Sequence, residues 1–143
     1  MNKLKILMMM ITASLLSMAV CAEGLPRSDS PEGASVYFIT PMDGATVTSP
    51  VTVVFGLKGM GVAPAGLEKA NTGHHHLLID VESIAMDAPI GKDDQHRHFG
   101  GGQTEATVEL SPGQHTLQLL LADHLHIPHN PPVMSEKISI TVE

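Results

Sequence analysis

All nine histidines of this 143-residue chain lie between His74 and His129. They fall in three stretches: "GHHHLLIDVE" at residues 73–82, "DDQHRHFGGGQ" at residues 93–103 and "HTLQLLLADHLHIPH" at residues 115–129. In extended backbone the pattern His-x-His places two imidazoles on one side, close enough to share an ion, and neutral imidazole suits zinc, copper or nickel. His96 and His98 form one such pair, His124 and His126 another, and His74 and His76 a third, with His129 returning after Pro128. Carboxylates beside such rings can orient them through the second nitrogen and offset the ion's charge. The expected ligand set is therefore His74, His76, His96, His98, His124, His126 and His129, with Asp123 as the supporting carboxylate.

Strand alternation separates two histidines from this set. His75 shares a face with Leu77, Ile79 and Val81, and His115 shares one with Leu117, Leu119 and Leu121, so both are expected to be structural and to face the core. His74 and His76 share the other face with Leu78 and Asp80. A second reading keeps every histidine structural, or leaves the loop histidines paired with aspartates such as Asp93 and Asp94, and makes the domain pH-responsive without any metal. Catalysis is the third. No Gly-x-Ser-x-Gly elbow is present, and Glu105 lies seven residues after His98, too far for the metal-binding cupin pattern. No nucleophile is proposed and the chain is read as a binder, not an enzyme.

The start of the chain has the order of a secretory signal peptide over residues 1–22. Lys3 and Lys5 precede an uncharged apolar run from Ile6 to Val20, shorter than the roughly 20 residues of a spanning helix, and small residues end at Ala22. Export to the periplasm or beyond follows. Cys21 offers the alternative of a lipid-anchored chain, although Val20 stands where Gly, Ala or Ser would normally precede such a cysteine. Cleavage after Ala22 removes the single cysteine, which excludes disulfides and thiolate ligands. Imidazole, carboxylate and the thioethers of Met42, Met60, Met86 and Met134 remain, pointing to copper or zinc, with copper favoured by analogy with exported β-sandwiches that carry it. Cleavage also takes the net charge from -7 to -9. So acidic a domain is unsuited to nucleic acid or anionic lipid and suited to cations, with a protein of the cell envelope as a further candidate partner. With no Trp and one Tyr, it lacks the aromatic platforms of sugar-binding surfaces.

Residues 23–34 are rich in Pro, Ser, Gly and charge and read as a flexible linker, leaving one domain over residues 35–143. Within it, Val36 to Ile39, Val51 to Leu57, His75 to Val81, Thr104 to Leu110, Gln114 to Ala122 and Lys137 to Val142 have strand character, separated by Gly- and Pro-containing turns. No segment carries a sustained helical period. The expectation is an all-β, immunoglobulin-like antiparallel β-sandwich of about six to eight strands.

The stretches "TPMDGATVTSPVTVVFGL", "LSPGQHTLQLLLAD" and "KISITVE" resemble strands of immunoglobulin-like bacterial extracellular domains. More specifically, "HHHLLID", "HRHFGGGQTEATVEL" and "PGQHTLQLLLADHLHIPHNPPVMSEKISITV" resemble the family called domain of unknown function 4399, from about Val36 onward. That resemblance implies a kind of exported domain and no particular activity.

Overall fold

The computed structural model of the chain describes residues 24–143, so the expected leader, its cleavage site and Cys21 lie outside the described residues. Ten strands follow in order: β1 (Ser35–Thr40), β2 (Thr46–Val47), β3 (Val51–Lys58), β4 (Gly61–Val62), β5 (Thr72–Ile79), β6 (His96–His98), β7 (Glu105–Val108), β8 (Gly113–Ala122), β9 (Pro128–Met134) and β10 (Ile138–Val142). Seven of them are four residues or longer. There is no helix among the described residues, and hence none long and apolar enough to cross a membrane.

The strands form a β-sandwich. One sheet has the order β1-β3-β7, and the other runs β2-β10-β8-β5-β4, with β6 added to β5 and β9 to β8. The long ladders are antiparallel as expected, while the two-residue strands β2 and β4 pair in parallel with β10 and β5. Alternation decides what lies between the sheets: Val36, Val51, Val53 and Phe55 of the first meet Leu77, Ile79, Leu117, Leu119, Leu121 and Ile140 of the second. β8, the most apolar strand, is the hub. Its first half pairs with β10, and its second half lies between β5 and β9.

Two features depart from the sequence reading. The segment expected as a flexible linker is hydrogen-bonded to the domain. The Asn130 amide donates to the Ser28 carbonyl at 2.9 Å and the Ser30 amide to the Asn130 carbonyl at 3.1 Å. Arg27 Nε donates to the Pro128 carbonyl at 3.0 Å and its terminal nitrogen to that of His129. Composition alone did not show these partners, because they come from the start of β9, a hundred residues away. The second departure is the outer face of β5 and β8, where Leu78, Leu120 and Ala122 are as buried as the core. Loops roof this face. Ile84 and Met86 line a hollow with Leu78 and Gln118, and the Ile90 amide reaches the His126 carbonyl at 2.9 Å.

His115 does share the inward face of β8, but it sits at the rim of the sandwich rather than in apolar surroundings. Its Nδ1 lies 2.7 Å from Asp80 Oδ2 and its Nε2 2.8 Å from the Ser111 carbonyl. With acceptors at both nitrogens, the ring is used as an imidazolium that ties the end of β5 to the turn before β8. The Asp80 hydrogen bond raises the His115 pKa above 6.5, against a smaller opposing effect of burial. A pKa raised in the folded state stabilises fully below the unfolded value and is lost as pH rises through the folded one. The stability difference between wild type and His115→Ala is therefore expected to be full at about pH 5–6, where Asp80 is ionised, and to shrink as pH rises above that in denaturant titrations. A difference that grows with pH refutes the assignment.

Candidate metal centre

β5 carries Gly73-His74-His75-His76 into the middle of the second sheet, and alternation sends the three rings to opposite faces. His75 points inward, its ring 5.0 Å from that of Phe55, which in turn stacks at 5.0 Å on Phe99. His74 and His76 point outward, yet both are 0% exposed. Burial therefore does not single out His75, which strand alternation made the first candidate for it: both faces of the strand are covered. Gly73 is required for the close packing here, because a Cβ would lie 2.5 Å from the Ala122 carbonyl oxygen and 2.9 Å from the His129 ring.

Register brings in the third ring. His76 is paired with Leu120 on one side and with His98 of β6 on the other, so the two imidazoles stand on the same face of neighbouring strands. Phe99, next along, turns inward against Phe55 and anchors β6. Gly100 then lets the backbone pass the His98 ring, where a Cβ would meet Nε2 at 2.5 Å.

A tight turn supplies the fourth ring. The His126 amide donates to the Asp123 carbonyl at 2.9 Å, and Asp123 Oδ1 accepts the amides of Leu125 at 2.9 Å and Ile127 at 3.0 Å. Ser28 Oγ donates to the other carboxylate oxygen at 2.7 Å. These bonds hold His126 at a φ of 67°, a left-handed conformation that costs an ordinary residue roughly 1–2 kcal/mol. Asp123 thus supports the site, although through the backbone of the turn rather than through a ring nitrogen.

The result is one cluster of His74, His76, His98 and His126. The Nε2 atoms of His74 and His76 are 3.0 Å apart, and those of His98 and His126 are 3.1 Å apart. Ligand nitrogens of His74, His76 and His98 all lie within 4.8 Å of one another. His126 joins from the His98 and His74 side, with ring centroids at 4.7 and 4.9 Å, and stands farther from His76 at 6.1 Å. Four nitrogens bound at about 2.0–2.1 Å around a tetrahedral ion are roughly 3.3 Å apart. The triad of His74, His76 and His98 could hold a metal ion, with the His126 ring beside it.

Its electrostatics suit a ligand set. Burial, followed by repulsion from neighbouring imidazoles, lowers the pKa of His74 to about 4 and of His76 to about 2. Burial first and then His126 and Lys92 lower that of His98. Neutral rings expose lone pairs. Nδ1 of His74 and Nδ1 of His76 are buried without a hydrogen-bond partner, so packing orients these rings, unlike most metal-bound histidines, whose second nitrogen donates to an acceptor.

The other expected ligands lie elsewhere. His96 is opposite Leu78, two residues along β6 and so roughly 7 Å from the His98 position; its Nδ1 is 2.8 Å from Asp93 Oδ1. His124 occupies the second position of the turn and diverges from His126, lining a polar hollow of about 400 Å³ with Asp29, Glu68 and Asp123. The expectation that His124 and His126 share a side assumed extended backbone, which ends at Ala122. His129 is buried, with Nδ1 3.3 Å from the Leu121 carbonyl and Nε2 3.2 Å from that of Thr72, a wedge between β8 and β5. Of the seven expected ligands, the structure gathers four.

The family model for domain of unknown function 4399 matches residues 53–143, and the chain belongs to that family. No curated protein and no solved structure matches it.

Two outcomes test this construction. Asp123→Ala leaves two turn amides and the Ser28 hydroxyl without their acceptor and is expected to destabilise the domain by on the order of 2–4 kcal/mol in urea unfolding. Burial also lowers the His75 pKa from 6.5 to about 4. A depressed histidine pKa means that the unfolded chain takes up the proton first, so stability falls as pH drops from 6.5 toward 4. Replacing His75 with Leu is expected to remove on the order of 3 kcal/mol of that acid loss. An unchanged acid limb would place His75 in contact with water.

Proposed function

We propose that this protein is an exported metal-binding protein that holds one copper or zinc ion and serves its handling or delivery, and that it is a binder rather than an enzyme. The observation carrying this reading is the convergence of four imidazoles, brought from three separate chain segments to Nε2 separations of 3.0 and 3.1 Å within pairs. Two of the rings, His74 and His76, are fully buried and kept neutral by that burial, the form in which imidazole binds a metal.

All-imidazole ligation suits zinc, copper and nickel and is a poor match for magnesium or calcium, which take oxygen donors. Export is supported by the leader-like residues 1–22, with their paired lysines and uncharged apolar run. A packing-only cluster is the rival, favoured by the unpartnered Nδ1 atoms of His74 and His76.

Calorimetric titration of the untagged chain from residue 24, with zinc and copper(II) in turn, separates the two readings. One ion per chain at submicromolar Kd is expected. His76→Ala and His126→Ala should weaken it by more than about 100-fold, beyond what loss of an outer hydrogen-bond partner does. His96→Ala and His124→Ala should bind as wild type. Weak binding without fixed stoichiometry, indifferent to His76, would return the cluster to a structural role.

A further inference from the structure

The four rings are not held alike. His74 and His76 are fully buried on a strand paired along both edges, whereas His98 and His126 are partly exposed, on a three-residue strand and a tight turn. One further segment touches all three ligand-bearing pieces. The Ala63 amide donates to the Gly73 carbonyl at 2.8 Å, beside His74. The Ala65 amide donates to that of Gly100 at 2.9 Å, two residues past His98, and the Gly66 amide to that of His124 at 3.0 Å, two residues before His126.

Ala65 also flanks the ring itself. A Cβ built at Gly100 would meet His98 Cε1 at 2.3 Å and Ala65 Cβ at 3.1 Å, so the alanine and the imidazole close on the same glycine. Gly59 and Asn71 on either side of the segment have φ of 80° and 59°, Gly66 has φ of 84°, and Pro64, Gly66 and Leu67 are exposed.

We propose that residues 63–66 are the gate of the histidine site: the ion enters and leaves past this strap, with His98 and His126 releasing first and His74 and His76 holding last. This rests on the reading of the cluster as an ion site. Opening breaks the Ala65–Gly100 and Gly66–His124 hydrogen bonds near the surface and frees the backbone beside His98 and His126, while the ladders of β5 remain intact. Delivery then proceeds by stepwise exchange, each departing imidazole being replaced at the ion by a donor from the acceptor. A strap closed by contacts to all three ligand segments is also tightened by whatever draws those segments together.

The test compares ion release into excess chelator, by stopped flow, for wild type, Gly66→Ala and Gly44→Ala, using whichever of zinc and copper(II) binds. Both glycines have positive φ, 84° and 77°, and open space where a Cβ would be, so each alanine strains the backbone without a clash. Gly44 lies in the turn before β2, where its amide meets the Ser139 carbonyl on β10, away from the histidine cluster. Release is expected to accelerate about fivefold to tenfold in Gly66→Ala, matching the left-handed penalty of an L-residue, and to stay unchanged in Gly44→Ala. Hydrogen exchange on the wild type should also show the Ala65 and Gly66 amides slowed by ion loading.

Release that is equal in all three proteins, or equally accelerated in both variants, overturns the gate while leaving the metal site standing, as does exchange at Ala65 and Gly66 indifferent to a bound ion. Absence of stoichiometric binding in wild type overturns the metal reading and the gate together.

Discussion

The histidine end of this protein depends on β5 being buried on both faces. A strand with one apolar and one polar face normally leaves the polar one to water. Here Leu77 and Ile79 face the other sheet, while His74, His76 and Leu78 are covered by loops. Enclosing imidazoles in this way penalises their charged form, so the rings are kept neutral by the same burial that holds the strand in place. Close packing at Gly73 and along the His75–Phe55–Phe99 rings transmits this constraint to β8 and to the opposite sheet.

Two devices convert the buried strand into a site. The first is register: because His98 pairs with His76, a slip of one residue would turn His98 inward and bring Arg97 toward the cluster. The second is Asp123, whose carboxylate accepts two amides and a hydroxyl and so fixes a turn that presents His126 in a left-handed conformation. Its pKa lies below the usual carboxylate range. Burial opposes ionisation, but the hydrogen bonds from Ser28, Ile127 and Leu125 together outweigh it. The carboxylate therefore supports the cluster by shaping the chain rather than by touching a ring.

Strands with clear alternation, above all β8, were readable from the sequence, as were the β-sandwich and the inward direction of His75. The three-way convergence was readable only in outline. His76 and His98 meet through a pairing that no periodicity specifies, and His126 arrives through a turn whose Asp-x-x-His geometry replaces the extended run assumed for His124. The burial of His74 and His76 was not readable at all, since it involves the short strand β6 and the turn at residues 123–126, which bring His98 and His126 against them. Glycines were the available signal. Gly73 and Gly100 each stand where a backbone must pass another group closely, and each flanks a ring of the cluster.

A consequence follows for how protons and ions compete. An ordinary imidazole is half protonated at about pH 6.5, so a site built from such groups loses its ion as a compartment acidifies. His74 and His76 shed their protons at about 4 and about 2, and His98 below its ordinary value, through burial before any ion arrives. On the reading proposed above, His74 and His76 have no protons to give up to an ion that arrives in mildly acidic surroundings.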